Sequence, residues 1–188
     1  MKKLAQVVAM AAVFVVALTS NGALAATECN GAISGSVVGG VVVNAGDFCV
    51  LEGANVSGGV QVTSGGMLIM CGSTINGGIV ANGAAQLIIG AGADEEVPPV
   101  NFVCPGNVIH GGVAISNTGP GTIPPAPSIA IERNTVSGAV HLTGNTGAMV
   151  ISSDIIHGGL FCTNNRYNPE DEGTPSIITG ATTCDFGR

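Results

Sequence analysis

The chain is poor in the aromatic and cationic side chains that many binding proteins use. It has no tryptophan, five phenylalanines and a single tyrosine, Tyr167, among 188 residues. Only five residues are Lys or Arg, and two of these, Lys2 and Lys3, lie at the very start. Because sites for small ligands and sugars are commonly lined by aromatic rings, this scarcity argues against a carbohydrate-binding module.

A short apolar run follows the two lysines. Residues 7–18 are apolar without interruption, and Ala23-Leu24-Ala25 is a small-x-small cleavage signal. The run is too short for a membrane span, which needs about 20 residues. The pattern is typical of a secretory signal peptide. We therefore predict a signal peptide over residues 1–25, a mature domain over residues 26–188, no membrane insertion after cleavage, and export to the periplasm, the cell surface or the medium.

The predicted mature domain is strongly acidic. Without Lys2 and Lys3 it keeps three arginines against twelve acidic residues, a net charge of 3 − 12 = −9. Nucleic acids and anionic membranes bind through neutralising cations, which this chain lacks. The charge therefore predicts no nucleic-acid partner and leaves a second copy of the chain or a surface polymer as the expected partner.

A glycine-centred repeat organises the rest of the chain. In each copy Val or Ile stands two residues before a marker glycine, and Val, Ile or Leu stands two residues after it. The separations between markers are 19, 19, 34, 27 and 20 residues, which is the self-similarity of a solenoid. The six markers are Gly39, Gly58, Gly77, Gly111, Gly138 and Gly158. We interpret each marker as a bend where the backbone turns against the core.

A second apolar segment precedes five of the markers at a constant offset. The five segments are Cys49-Val50-Leu51, Leu68-Ile69-Met70, Phe102-Val103-Cys104, Ile129-Ala130-Ile131 and Met149-Val150-Ile151. Alternate residues around the markers are apolar, which is the period of a strand. The sequence therefore predicts an all-β, single-domain parallel β-helix of about six coils, right-handed as parallel crossovers almost always are.

All six cysteines follow the predicted signal peptide, so we expect disulfides. Cys29 and Cys49 are 20 residues apart and Cys162 and Cys184 are 22 apart, each close to one coil. Cys71 and Cys104 occupy similar offsets before successive markers. The register thus predicts the pairs Cys29–Cys49, Cys71–Cys104 and Cys162–Cys184. Metal binding is the alternative, but no Cys-x-x-Cys motif supports it.

Three insertions interrupt the repeat, over residues 91–101, 117–127 and 164–175. The second and third begin at the same offset after a marker, so we expect them to emerge from one corner, where loops often form a binding face. The alternative is that all three are solvated decorations.

Side chains that could support catalysis or metal binding are few and scattered. His110 and His157 share one outward column but lie two coils apart, about 10 Å, and His141 lies further along the strand. Glu132, Arg133 and Asp154 are the mid-chain candidates for a lyase-like site, but adjacent strand residues point to opposite sides. We predict no catalytic residue, no metal site and no cofactor.

One column of residues that should point outward is apolar. It comprises Val50, Ile69, Val103, Ala130 and Val150. An exposed stripe of this kind predicts an interface. The alternative is that the insertions, especially residues 91–101, fold back and cover it.

With this register, the six markers together with Cys29, Cys49, Cys162 and Cys184 resemble secreted bacterial parallel β-helix proteins of the pectin-lyase-like kind, and more narrowly a group of uncharacterised exported proteins. The alternation of Val or Ile with Gly is also similar to that of bactofilins, although those lack an export signal and paired cysteines. The resemblance implies the fold and supplies no catalytic residue. We predict an exported, non-enzymatic structural or interaction protein that acts through its solenoid surface and self-assembles. The alternative is a polysaccharide-binding module, or a polysaccharide lyase or hydrolase, of the cell surface.

Overall fold

The computed structural model describes residues 25–90, 104–121 and 126–187, and within these ranges the chain is all-β, as predicted. In this part of the chain no helix is long and apolar enough to cross a membrane. The strands are β1 Thr27–Glu28, β2 Gly31–Val37, β3 Val41–Val43, β4 Phe48–Val56, β5 Val60–Val62, β6 Met67–Cys71, β7 Thr74–Ile75, β8 Ile79–Asn82, β9 Gln86–Ile89, β10 Val108–Ile109, β11 Val113–Ser116, β12 Ile129–Glu132, β13 Thr135–Val136, β14 Val140–Thr143, β15 Met149–Ser152, β16 Ile155–Ile156, β17 Leu160–Thr163 and β18 Ile177–Ile178.

These strands form two parallel sheets. The seven-stranded sheet has the order β1-β3-β5-β8-β11-β14-β17. The eleven-stranded sheet bends at β4, whose first half pairs with β6 and whose second half pairs with β7. Its first arm continues through β9, β12 and β15, and its second arm continues through β10, β13, β16 and β18. Each complete repeat therefore adds one strand to each of three parallel stacks.

The space between the three stacks is filled by aliphatic side chains. The residues two before the markers form one buried column, and those two after the markers form another. The first column contains Val56, Ile75, Ile109, Val136 and Ile156, each 0 % exposed. Because equivalent side chains lie directly above one another, each repeat buries its apolar face against its neighbours, as the repeat pattern predicts.

The marker glycines are required for a different reason from the one predicted from the sequence. A Cβ on Gly58 would lie 2.8 Å from the backbone of Gly39, and a Cβ on Gly111 would lie 2.6 Å from the nitrogen of Gly78. The Gly58 N–H donates to the Gly39 carbonyl at 2.7 Å, so the backbones of successive repeats stack directly at this corner. The constraint is therefore the neighbouring backbone and not the core. Gly180 stacks in the same way on Gly158, so this corner continues one repeat beyond the six markers.

We expect Gly111→Ala to lower the free energy of unfolding by about 1–3 kcal/mol, because the added methyl would overpack against backbone that has no alternative position. Gly119→Ala is the matched control, since a Cβ there has nothing within 4 Å. Guanidinium unfolding followed by circular dichroism would compare the two. Equal stabilities of the two variants would contradict the stacking explanation.

The register of the fourth repeat differs from the prediction. The first-arm strand of this repeat is β9, which pairs with β6 on one side and with β12 on the other. The predicted segment was Phe102-Val103-Cys104, of which Phe102 and Val103 lie outside the described residues. The cause is the first insertion, which falls between β9 and β10, so counting nine residues back from Gly111 reaches only the residues just after the insertion and not β9.

The three predicted disulfides are confirmed. The Cα–Cα distances are 5.4 Å for Cys29–Cys49, 5.2 Å for Cys71–Cys104 and 4.9 Å for Cys162–Cys184. No cysteine in the chain is free. Because disulfides persist in oxidising surroundings, these three indicate an extracellular or periplasmic environment.

The second and third insertions begin at the same corner, in agreement with the prediction. They follow β11 and β17, the two strands that flank β14 in the seven-stranded sheet. The first insertion, over residues 91–101, lies outside the described residues, as do residues 122–125 of the second. The third supplies Glu170, which bridges to Val150 and adds a further rung to the first arm.

Candidate interaction surfaces and a buried polar ladder

The outward column predicted as an exposed stripe is largely buried. Ile69 and Val150 are each 6 % exposed and Ala130 is fully buried, while Val50 is half-buried. Val103 lies outside the described residues, and the rung between Ile69 and Ala130 is occupied by Ile88. The expectation of an exposed apolar stripe is therefore wrong for this face of the first arm.

A second apolar cluster explains this burial. It joins Ile69, Ile88 and Ala130 to the Cys71–Cys104 disulfide, and it is separate from the main core. Ala126 packs against it, and Gln86 Nε2 donates to the Pro127 carbonyl at 2.9 Å. The end of the second insertion thus lies over the column. The predicted cover, residues 91–101, falls outside the described residues.

Exposed apolar side chains are found instead on the outer face of the second arm. Val108 is 39 % exposed, Ile155 is 41 % exposed and Ile177 is 63 % exposed. These three share one outward column with Thr74 and Thr135, and exposure is greatest at the C-terminal end of the stack. The apolar character of this face increases towards β18.

A groove of about 530 Å³ runs along the outer face of the seven-stranded sheet. Gly40, Gly59 and Gly78 form its floor, and Gln61 is the one polar side chain among its lining residues. At the far end of the same face the Phe161 ring lies over Gly159, where it fills the equivalent position. His141 stacks on Phe161 with the ring centroids 4.8 Å apart. The groove is thus an accessible, uncharged surface.

The candidate catalytic residues do not share an accessible face. Glu132 is fully buried and Asp154 is 1 % exposed, whereas Arg133 is exposed in a turn with a φ of 58°. His110 and His157 are exposed on the second arm, and His141 lies on the seven-stranded sheet. Within the described ranges, no group of three or more His, Cys, Asp or Glu side chains could hold a metal ion.

A buried polar ladder, which the sequence analysis missed, connects the repeats at the corner between the two arms. In each rung a side-chain oxygen accepts the backbone N–H of the preceding rung. Ser73 Oγ accepts from Ala54 at 3.0 Å, Asn107 Oδ1 from Ser73 at 2.8 Å, and Asn134 Oδ1 from Asn107 at 2.9 Å. The ladder ends with Asp154 and Ser176.

Asp154 is the only acid in this ladder. Its Oδ1 accepts from the backbone N–H of Asn134 at 2.7 Å and from Asn134 Nδ2 at 3.0 Å. Its own N–H donates to Ser176 Oγ at 3.0 Å. Burial, together with the nearby charge of Glu132 and against the hydrogen bonds from Asn134 and Ser176, raises the pKa of Asp154 to about 8. The protonated form of Asp154 is therefore favoured at neutral pH.

The two ends of the stack present unpaired strand edges. At the N-terminal end, β1 pairs only with β3 and β2 pairs only with β4 among the described residues. At the C-terminal end, β18 pairs only with β16 in the described part of the chain, Thr182 forms a single bridge to Leu160, and Gly187 bridges to Glu170. These edges carry backbone groups that a further parallel strand could satisfy.

Comparisons of the chain with protein-family models, with curated proteins and with solved structures gave no significant match.

Proposed function

We propose that the protein is an exported structural protein, a right-handed parallel β-helix of about six coils that assembles end to end and acts by contact rather than by catalysis. The three parallel stacks, filled in chain order, support the coiled path, and parallel crossovers are almost always right-handed. The leader-like residues 1–25 and the three disulfides support export to the periplasm, the cell surface or the medium.

The observation that carries this proposal is the composition of the two terminal edges. Proteins normally protect open strand edges with charged residues, proline or a covering segment. The β2 segment Gly31–Val37 contains neither charge nor proline. Residues 176–184, which include β18 and Thr182, also lack both. The β2 edge and the edge formed by residues 176–184 are therefore suited to pairing with another parallel strand, whereas β1 carries Glu28 and the last first-arm rung carries Glu170.

The geometry of the edges favours a second copy of the chain as the partner. Ile177 and Thr179 donate their N–H groups to Asp154 and Ile156 of the preceding repeat. Because N–H groups alternate along a strand, that of Ile178 points away from the stack. At the C-terminal end the seven-stranded sheet ends at Thr182 and the second arm at β18, while in the first arm Gly187 bridges to Glu170. A partner must therefore offer strands to three stacks at once. The opposite end of the same chain has this arrangement, and a head-to-tail contact of this kind forms open filaments.

Size-exclusion chromatography with light scattering tests the proposal. The sample is protein expressed with residues 1–25 and exported by the expression host. We expect concentration-dependent species larger than the monomer, with an intact mass that lacks residues 1–25. Ile177→Lys should reduce assembly by at least about tenfold in apparent affinity, because a charge on an edge strand disfavours pairing. Ile178→Pro removes the outward N–H itself and should act in the same direction.

Val108→Lys is the matched control, since Val108 lies in the same outward column as Ile177 but in the middle of the stack. It should leave end-to-end assembly unchanged. If Val108→Lys disrupts assembly as strongly as Ile177→Lys, the contact is lateral and the edge proposal fails. A wild-type chain that stays monomeric at every concentration would also overturn it.

A further inference from the structure

The last rung of the second arm contacts a buried acidic residue of the preceding repeat. Ser176 to Ile178 form this rung, which pairs with β16 and also contacts Asp154 of the preceding repeat. Asp154 donates its N–H to Ser176 Oγ at 3.0 Å and accepts the Ile177 N–H on its carbonyl at 2.8 Å. Its Oδ2 lies 3.5 Å from Ser176 Oγ. The rung and the carboxyl group therefore share one small buried site.

The other groups around Asp154 leave few ways to stabilise a negative charge. Glu132, at the end of β12, is buried in the same corner and adds a like charge. The strands β13, β15, β16 and β18 contribute no titratable side chain. Arg133 is exposed, and so is Arg166 of the third insertion, whose guanidinium lies over the Tyr167 ring. The other charged side chains of that insertion are the acidic Glu170, Asp171 and Glu172. An ionised Asp154 thus has buried amide and hydroxyl partners but no cation.

Water can reach Asp154 most easily from the C-terminal side. On its other side stand Asn134 and the remaining rungs of the ladder, all buried. On the C-terminal side Ser176 is the next rung, and the second arm has no strand beyond β18 among the described residues. Terminal rungs open first because they have one neighbour. Lifting this rung is therefore the shortest way to hydrate the carboxylate.

We propose that the last rung opens together with the loss of a proton from Asp154, so that acidic conditions hold the C-terminal edge closed and alkaline conditions release it. The inference concerns the same edge as the proposed assembly and rests on that function for its biological meaning. The coupling itself is a property of the monomer. It can therefore be tested whether or not the chain assembles.

The direction of the pH dependence follows from the raised pKa of Asp154. A carboxyl group whose pKa rises from 3.8 in the open state to about 8 in the closed state binds its proton more tightly when the rung is closed. The contribution of the Asp154 proton to closing the rung is therefore fully present at pH values below the open-state pKa of 3.8. This advantage falls as the pH rises and is exhausted once the pH passes about 8.

Amide hydrogen exchange, measured by NMR on dilute monomeric protein, tests the coupling. In the wild-type chain, relative to Asp154→Asn, the protection of the Ile177 and Thr179 amides should fall about tenfold for each unit of rising pH. The loss between pH ~5 and pH ~7 is then about a hundredfold. Asparagine fits this column, since Asn107 and Asn134 occupy equivalent rungs. Glu52→Gln, a change at an exposed carboxyl, should retain the wild-type pH dependence.

The carboxyl carbon of Asp154 offers a second measurement that needs no variant. Its chemical shift should titrate with a midpoint near 8 in the wild-type chain. The proposal is overturned if that carbon titrates near its ordinary value, or if Asp154→Asn keeps the wild-type pH dependence at Ile177. A failure of assembly with the coupling intact would remove the proposed function and leave the proton-linked rung in place.

Discussion

Replacing Asn134 with alanine is expected to lower the free energy of unfolding by about 3 kcal/mol or more. The Asn134 side chain accepts from Asn107 N and Asn107 Nδ2, both at 2.9 Å, and donates to Ile89 O at 2.8 Å and Asp154 Oδ1 at 3.0 Å. All of these partners are buried, and a buried polar group without a partner costs about 1–3 kcal/mol. The measurement is guanidinium unfolding at fixed pH, followed by circular dichroism.

Asn76→Ala provides the matched control for this prediction. Asn76 is exposed on the second arm and bonds to Asn55 and Val56 at 3.3 and 3.2 Å. Water can replace those bonds, so the change should stay within about 0.5 kcal/mol. If the two variants lost similar stability, the buried ladder would not be a significant source of stability.

The polar ladder was present in the sequence as a pattern, although we did not identify it. Ser73, Asn107, Asn134 and Asp154 each stand four residues before a marker glycine. That offset lies in register with the inward aliphatic positions, so strand alternation alone would place these side chains inside. A polar residue at an inward position is normally taken as evidence against a core. The ladder removes that objection because each rung satisfies the backbone of the rung before it.

Stacking and disulfide pairing were predictable because both follow from spacing along the chain. Identical residue types at fixed offsets from Gly58 or Gly111 require equivalent environments, which parallel stacks provide. The pairing of Cys29 with Cys49 follows from a separation of 20 residues, close to one repeat. Predictions of this kind need no knowledge of the insertions.

Exposure was not predictable, because it depends on where the insertions run. Ile69 and Ala130 stand at outward offsets, yet the second insertion brings Ala126 against their cluster. The offset of Val103 was miscounted because the first insertion falls within a repeat and not between two repeats. Local alternation assigns a side chain to a face of a strand. Whether that face reaches solvent depends on contacts from segments distant in sequence.

Removing the Cys71–Cys104 disulfide should have the largest effect of the changes considered. The bond closes a loop with a sequence separation of 33 residues, which includes β7, β8, β9 and the first insertion. Restraining a loop of this length in the unfolded chain contributes about 4 kcal/mol in the chain-entropy model. Both cysteines also lie in the second apolar cluster, at 2 % and 4 % exposed, so their loss removes packing as well.

The double variant Cys71→Ala with Cys104→Ala isolates this contribution without leaving a free thiol. We expect a fall of about 4 kcal/mol in the free energy of unfolding by guanidinium titration under oxidising conditions. Cys29→Ala with Cys49→Ala is the matched comparison. Its shorter separation of 20 residues and its position at the end of the stack predict a smaller loss. An equal or larger loss from the terminal pair would show that fraying of the end repeat, and not closure of the long loop, determines the stability of the stack.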